Sequence, residues 1–346
     1  MKVRSIKLIL AAIGLVVATS AQAVVALPYS SLVIFGDSLS DSGNNSLHPL
    51  IGSASGQTAL PTFGNSYIPE RPYAEFGGTA SNPFATYSNG AVWSTQFAGM
   101  LGVPLSPSNV PGGTNYAFGA AVTGVDRILH PSFPQFPLPS LKTQSNSYIA
   151  SHPGALPSDA LYIVEGGGNN VRATLDAIAV QGASAGSIIF NDANRYANDI
   201  GTIVDNLQAR GATNIIVWNT PNLGTSPSSI ASGALGSFLA TLTADAMNAA
   251  LSSRLAGEAG VKIFDIFGIA NLPGASIFTN KTNACGAIGG CETSLFWDGI
   301  HPTTAAHSFI AQQMFALAVP EPSEIAMMLA GLLVVVGAAR YRSIAA

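Results

Sequence analysis

Cysteine, histidine and charge are the scarce resources of this 346-residue chain. It has two cysteines, five histidines, and Asp, Glu, Lys and Arg together make up only 9% of the residues. Two cysteines cannot staple a fold of this length, so a hydrophobic core must carry its stability. Once Lys2, Arg4, Lys7, Arg340 and Arg342 near the two ends are set aside, nine basic residues remain, scattered along the chain. No basic stripe exists to follow a phosphate backbone, which argues against nucleic acid as a partner. Cys285 and Cys291 have no histidine or further cysteine close by in sequence, so their spacing does not describe a metal site.

Long apolar runs occur only at the ends. Lys2, Arg4 and Lys7, then Leu8 to Ala18, then Ala21-Gln22-Ala23 follow the order of a secretory leader, which predicts a mature chain starting at Val24. A retained anchor is the alternative. At the other end Val319-Pro320-Glu321-Pro322-Ser323 precedes the apolar run Ile325 to Ala339 and then Arg340 and Arg342. That run as a helix reaches about 22 Å, short of the roughly 30 Å hydrocarbon core. The tail resembles a PEP-CTERM sorting signal of Gram-negative bacteria. The resemblance implies processing by a membrane sorting enzyme, with an ordinary tail anchor as the alternative. The expected organisation is a leader over residues 1–23, one domain over 24–318 and a sorting tail over 319–346. Export to the periplasm, cell surface or extracellular matrix follows, with membrane contact only through the terminal segments. In an exported chain Cys285 and Cys291 are expected to close a small local disulfide, two free thiols being the alternative.

Between the ends, five short runs carry strand character: Leu32 to Phe35, Thr114 to Tyr116, Leu161 to Val164, Asn214 to Trp218 and Val261 to Phe264. Helical periodicity separates them over Ala91 to Leu101, Ala193 to Arg210 and Leu235 to Leu255. In the second of these Ala197, Ile200, Val204 and Leu207 form one apolar stripe and Gly211 ends it. Alternating strands and helices predict a three-layer α/β/α sandwich around a mainly parallel, flavodoxin-like sheet of about five strands, with chemistry at its carboxyl edge. Ser46 to Gly113 reads as long loops plus one helix.

Hydrolysis of an ester at neutral pH needs a nucleophile, a base and donors for the developing oxyanion. Of the five histidines, His48, His130 and His152 each precede a proline and lack a nearby carboxylate, whereas His301 follows Asp298 by three residues. Asp and His at that spacing share one turn, so the carboxylate can hold one ring nitrogen while the other faces a nucleophile. His307 lies further along and reads as a surface position. Ser38 follows an apolar strand and Gly36, whose missing side chain permits a sharp turn, and is expected at a helix start where amides favour negative charge. A plain N-cap is the bland reading of the same serine.

Gly36-Asp37-Ser38-Leu39, extended through Asp41-Ser42-Gly43-Asn44, resembles the name-giving motif of the GDSL, or SGNH, hydrolases. Tyr87-Ser88-Asn89-Gly90-Ala91-Val92-Trp93 is similar to a block of the longer members. Asn115 to Ala121 resembles a second block, with Ala120 where the family carries its second glycine. Gly166-Gly167-Gly168-Asn169-Asn170 resembles a third, with Asn170 replacing aspartate. The resemblance implies Ser38 as nucleophile, His301 as base and Asp298 as its partner, about 260 residues from the serine. It implies an oxyanion hole from the Ser38 amide, Gly119 (or Ala120) and the Asn169 side chain, with no metal or organic cofactor. The expected activity is cleavage of carboxylic esters of lipids, short acyl chains or acetylated polysaccharide. Acyl transfer through the same acyl-enzyme and a silent surface-binding protein are the alternatives. Gly182-Ala183-Ser184-Ala185-Gly186 offers a rival nucleophile elbow, but Ala173 to Val180 before it reads as helix where an elbow needs a strand.

Overall fold

In a computed structural model the described residues are 29–47, 86–128, 134–135, 137–181, 184–319 and 331–332. The leader, and the tail apart from Val319, Gly331 and Leu332, lie outside them, as do His48 and His130. No helix among the described residues is long and apolar enough to cross a membrane.

Four parallel strands, β1 (Leu32–Phe35), β2 (Leu161–Val164), β3 (Ile215–Trp218) and β4 (Val261–Phe264), lie side by side in chain order. Every residue of the first three is buried, as expected for a parallel sheet covered on both faces. The expected fifth strand at Thr114 to Tyr116 is reduced to one parallel bridge on the outer side of β1. There Ile34 N–H donates to the Thr114 carbonyl (3.1 Å) and Tyr116 N–H to the Ile34 carbonyl (2.7 Å). It stops short because Asn115 turns its buried side chain to the Ser40 carbonyl and Ser42 Oγ, and the Ala117 N–H returns to Asn115 Oδ1. With this segment beside β1, on the side away from β2, the strand order is the flavodoxin-like one expected.

Successive side chains of a strand point to opposite faces, and the two halves of the core divide accordingly. Val33, Phe35, Tyr162, Val164, Ile215 and Val217 meet helices α3 (Leu141–Ser151), α5 (Ala185–Ala209) and α7 (Gly233–Arg254). Leu32, Ile34, Leu161, Ile163, Ile216 and Trp218 meet α2 (Trp93–Leu101) and α9 (Thr304–Ala318). The remaining helices are α1 (Asn44–Leu47), α4 (Gly168–Gln181), α6 (Pro227–Ala231) and α8 (Cys285–Ile288). The stripe at Ala197, Ile200, Val204 and Leu207 is buried as its spacing requires, but the helix carrying it begins eight residues before Ala193. Its N-cap is Ser184, whose side chain accepts from the Ser187 N–H. Ser184 is therefore an exposed helix cap, and among the described residues no strand precedes it to make an elbow; Gly182 and Ala183 of the Gly-x-Ser-x-Gly match lie outside the described residues.

Candidate active site

The carboxyl ends of β1 and β2 supply most of the site. Gly36 leaves β1 where a Cβ would stand 2.6 Å from Glu165 Oε2, so only glycine lets the two strand ends approach this closely. Asp37 to Ser40 then form a turn rather than the start of a helix, with Ser40 and Asp41 both donating N–H bonds to the Asp37 carbonyl. Ser38 stands on this turn.

Its partners arrive from the far end of the chain. Phe296 pairs with Pro302, and Trp297 N–H donates to the His301 carbonyl at 2.8 Å, closing a tight loop over Asp298 to His301. Asp298 Oδ1 accepts the N–H groups of Ile300 (2.8 Å) and His301 (2.7 Å). Its other oxygen, Oδ2, lies 2.6 Å from His301 Nδ1, and His301 Nε2 lies 2.9 Å from Ser38 Oγ. These three residues thus form one hydrogen-bonded line. The Ser-Asn-Gly block holds that loop from the side, since Ser88 Oγ donates to the Pro302 carbonyl and Asn89 Oδ1 accepts from Thr304 N–H. Just upstream, Cys285 and Cys291 are joined in a disulfide.

The other predicted positions gather around the same turn. Asn169, at the start of α4, directs its Nδ2 to the Ala121 carbonyl (3.0 Å) and to Asp37 Oδ2 (3.3 Å). Gly119 N–H donates to Asp41 Oδ2 at 2.9 Å. That carboxylate also takes the N–H groups of Gly43, Asn44 and Asn45. Burial outweighs these four donors and pushes Asp41 up to about 6. Ala120 follows in left-handed backbone with φ 66°, and its N–H has no acceptor among the described residues.

Two buried groups escaped the sequence reading. Glu165, an acid ending a fully buried strand, has its carboxyl against that of Asp37, and burial with the neighbouring Asp37 charge raises it well above the usual range. Burial likewise raises Asp37, against the bonds from Leu39 N–H and Asn169 and the facing His301. His307 is no surface residue. It is fully buried on α9, burial holds it down to about 3, and neither ring nitrogen has a partner among the described residues. His152 ends α3 with its Nδ1 against the Tyr148 carbonyl and takes no part in the site.

Ser38 and His301 are only 7% and 6% exposed and line an open cleft. Leu39, Ile266, Phe267, Ile269, Phe309 and Ile310 give the cleft an apolar wall, and Asn169 and Arg172 lie at its polar side.

The hydrogen-bonded line of Ser38, His301 and Asp298 lies at the carboxyl edge of a parallel α/β sheet, on a cleft with an apolar wall. The chain belongs to the GDSL-like lipase/acylhydrolase family, which its residues 32–314 match. It is 28% identical over 332 residues to esterase EstA of Pseudomonas aeruginosa, an alignment covering 84% of this chain and 47% of EstA. To a GDSL esterase/lipase of Arabidopsis thaliana it is 26% identical over 343 residues, covering 84% of this chain and 91% of the plant protein. A solved α/β hydrolase from the metagenome of Lake Arreo, Spain, aligns with a TM-score of 0.42 and 14% identity, over 85% of this chain and 97% of that one. The chain spans about half the length of the Pseudomonas relatives it matches.

Proposed function

We propose that this protein is a carboxylic ester hydrolase working through an acyl-enzyme on Ser38. The observation that carries the reading is the continuous line from Asp298 Oδ2 through both nitrogens of His301 to Ser38 Oγ, at 2.6 and 2.9 Å. In that geometry His301 Nε2 takes the hydroxyl proton as Oγ attacks the ester carbonyl, and Asp298 stabilises the imidazolium that results. His301 then returns the proton to the leaving alcohol. Water, deprotonated by the same nitrogen, attacks the acyl-enzyme and releases the carboxylic acid. The N–H of Ser38 and the Asn169 amide are the proposed oxyanion donors, the amide exchanging its longer bond, 3.3 Å to Asp37 Oδ2, for the oxyanion. Gly119 already gives its N–H to Asp41, which favours Ala120 as the second backbone donor.

The apolar wall of the cleft supports esters with an aliphatic acyl chain over acetyl groups on a sugar, because it offers contact area and little hydrogen bonding. Export, with removal of residues 1–23 and processing within 319–346, belongs to the same reading. Mass spectrometry of the mature ends tests it.

The test of the chemistry is Ser38→Ala assayed on a series of p-nitrophenyl esters of increasing chain length. Turnover should fall by at least about 10^4-fold with the fold intact. Wild-type turnover in S38A, or a matching loss in Ser184→Ala, overturns the assignment.

A further inference from the structure

Beneath the nucleophile turn lie two buried acids. Asp37 and Glu165 are 3% and 1% exposed, and their carboxyls lie close enough to interact. Glu165 Oε2 also accepts the Asp37 N–H at 3.0 Å and Ser40 Oγ–H at 2.8 Å. Asp37 in turn accepts the Leu39 N–H on Oδ1 and the Asn169 amide on Oδ2. One carboxyl thus grips the residues on both sides of Ser38, and the second reaches the proposed oxyanion donor. Two ionised carboxylates in contact without water repel strongly, and a single shared proton removes that repulsion while supplying a bond between them.

We propose that Glu165 is a positioning residue for this reaction: held as the neutral acid, it shares one proton with Asp37 and so fixes both the Ser38 turn and the Asn169 amide. The inference rests on the hydrolase reading for its kinetic consequence, but not for the shared proton. The titratable groups facing the pair are Tyr196 from α5, whose Oη donates to the neighbouring Gly166 carbonyl, and His301, which faces Asp37. Tyr196 carries no positive charge that could neutralise a second negative one. Ionising Glu165 therefore pushes the carboxyls apart and moves the Asn169 donor with Asp37.

Infrared spectra of the folded protein read the proton directly. The carbonyl stretch of a protonated carboxylic acid is expected at neutral pH in the wild type and absent in Glu165→Gln. Glu165→Ala should lower kcat by about a hundredfold, the usual scale for a displaced catalytic group. E165Q, neutral and of the same shape, should restore most of that turnover and lose the wild-type fall of kcat at alkaline pH. If E165A fails to fold, the comparison of wild type and E165Q decides. The proposal is overturned by absence of the carbonyl band at neutral pH, by collapse of kcat in E165Q, or by an unchanged alkaline limb in that variant. Should S38A keep full turnover while the band persists, the hydrolase reading falls and the shared proton stands.

Discussion

The ring of Tyr87 lies against that of His301, with centroids 5.1 Å apart and planes inclined by 32°. The back of Tyr87 rests on Gly119, where a Cβ would come within 2.1 Å of its Cε2. An aromatic wall thus holds the imidazole in place, and a missing methyl group makes room for the wall. Gly119→Ala is expected to push Tyr87 into His301 and to strain the Gly119 bond to Asp41. It should cost about 1 to 3 kcal/mol of stability and about a hundredfold in kcat. Thermal melts and ester kinetics on G119A check both.

Ala120 is the only residue other than glycine with positive φ among the described residues. A Cβ in the left-handed region costs about 1 to 2 kcal/mol. Ala120→Gly should recover about 1 kcal/mol, or about two degrees in melting temperature for a domain of this size. Activity should persist, because the N–H remains. A drop in melting temperature would show that the left-handed backbone carries no strain here.

His307 gives the fold an acid sensitivity of known sign. Burial lowers it from 6.5 to about 3, so between those values the unfolded chain takes up a proton that the folded chain refuses. The stability associated with it is complete above 6.5 and is lost as pH falls toward 3, by up to about 1.4 kcal/mol per pH unit. His307→Leu should flatten this part of the stability profile, measured by denaturant unfolding between pH 7 and pH 4, and should raise stability most at the acid end. An unchanged slope would place the acid sensitivity elsewhere.

The disulfide between Cys285 and Cys291 sits on the loop that delivers Asp298. Cys285 and Gly286 donate their N–H groups to the carbonyls of Phe296 and Trp297. For so short a loop its entropic contribution is about 2 kcal/mol. Reduction, or Cys291→Ser, should lower the melting temperature and reduce turnover in part without abolishing it. Full activity with an unchanged melt would make the bond incidental to the site.

What the sequence revealed follows from how local each signal was. Ser38, Asp298 and His301 could be read because the chemistry demands those residue types within a few positions of one another or of a strand end. The four full strands were visible as apolar runs between helical periods. Thr114 to Tyr116 misled because a strand-like run can be diverted by one buried side chain, here Asn115 turned toward Ser40 and Ser42. Glu165 and His307 were invisible for the opposite reason. Propensity assigns acids and histidines to the surface, and only tertiary packing shows where burial overrides it. Asp41 lay inside a recognised motif, yet its bond to Gly119 links residues 78 apart in sequence, beyond the reach of any local pattern.

His301 Nε2 and Ser38 Oγ meet across 263 positions of chain. A polypeptide emerging amino end first carries its serine hydroxyl long before the imidazole that could deprotonate it exists. On the proposed mechanism a base is in place only once α9, which follows the His301 loop, has packed against α2, so a nascent chain already displaying Ser38 has nothing to activate it. Recovery of ester turnover after dilution from denaturant would time that final docking step.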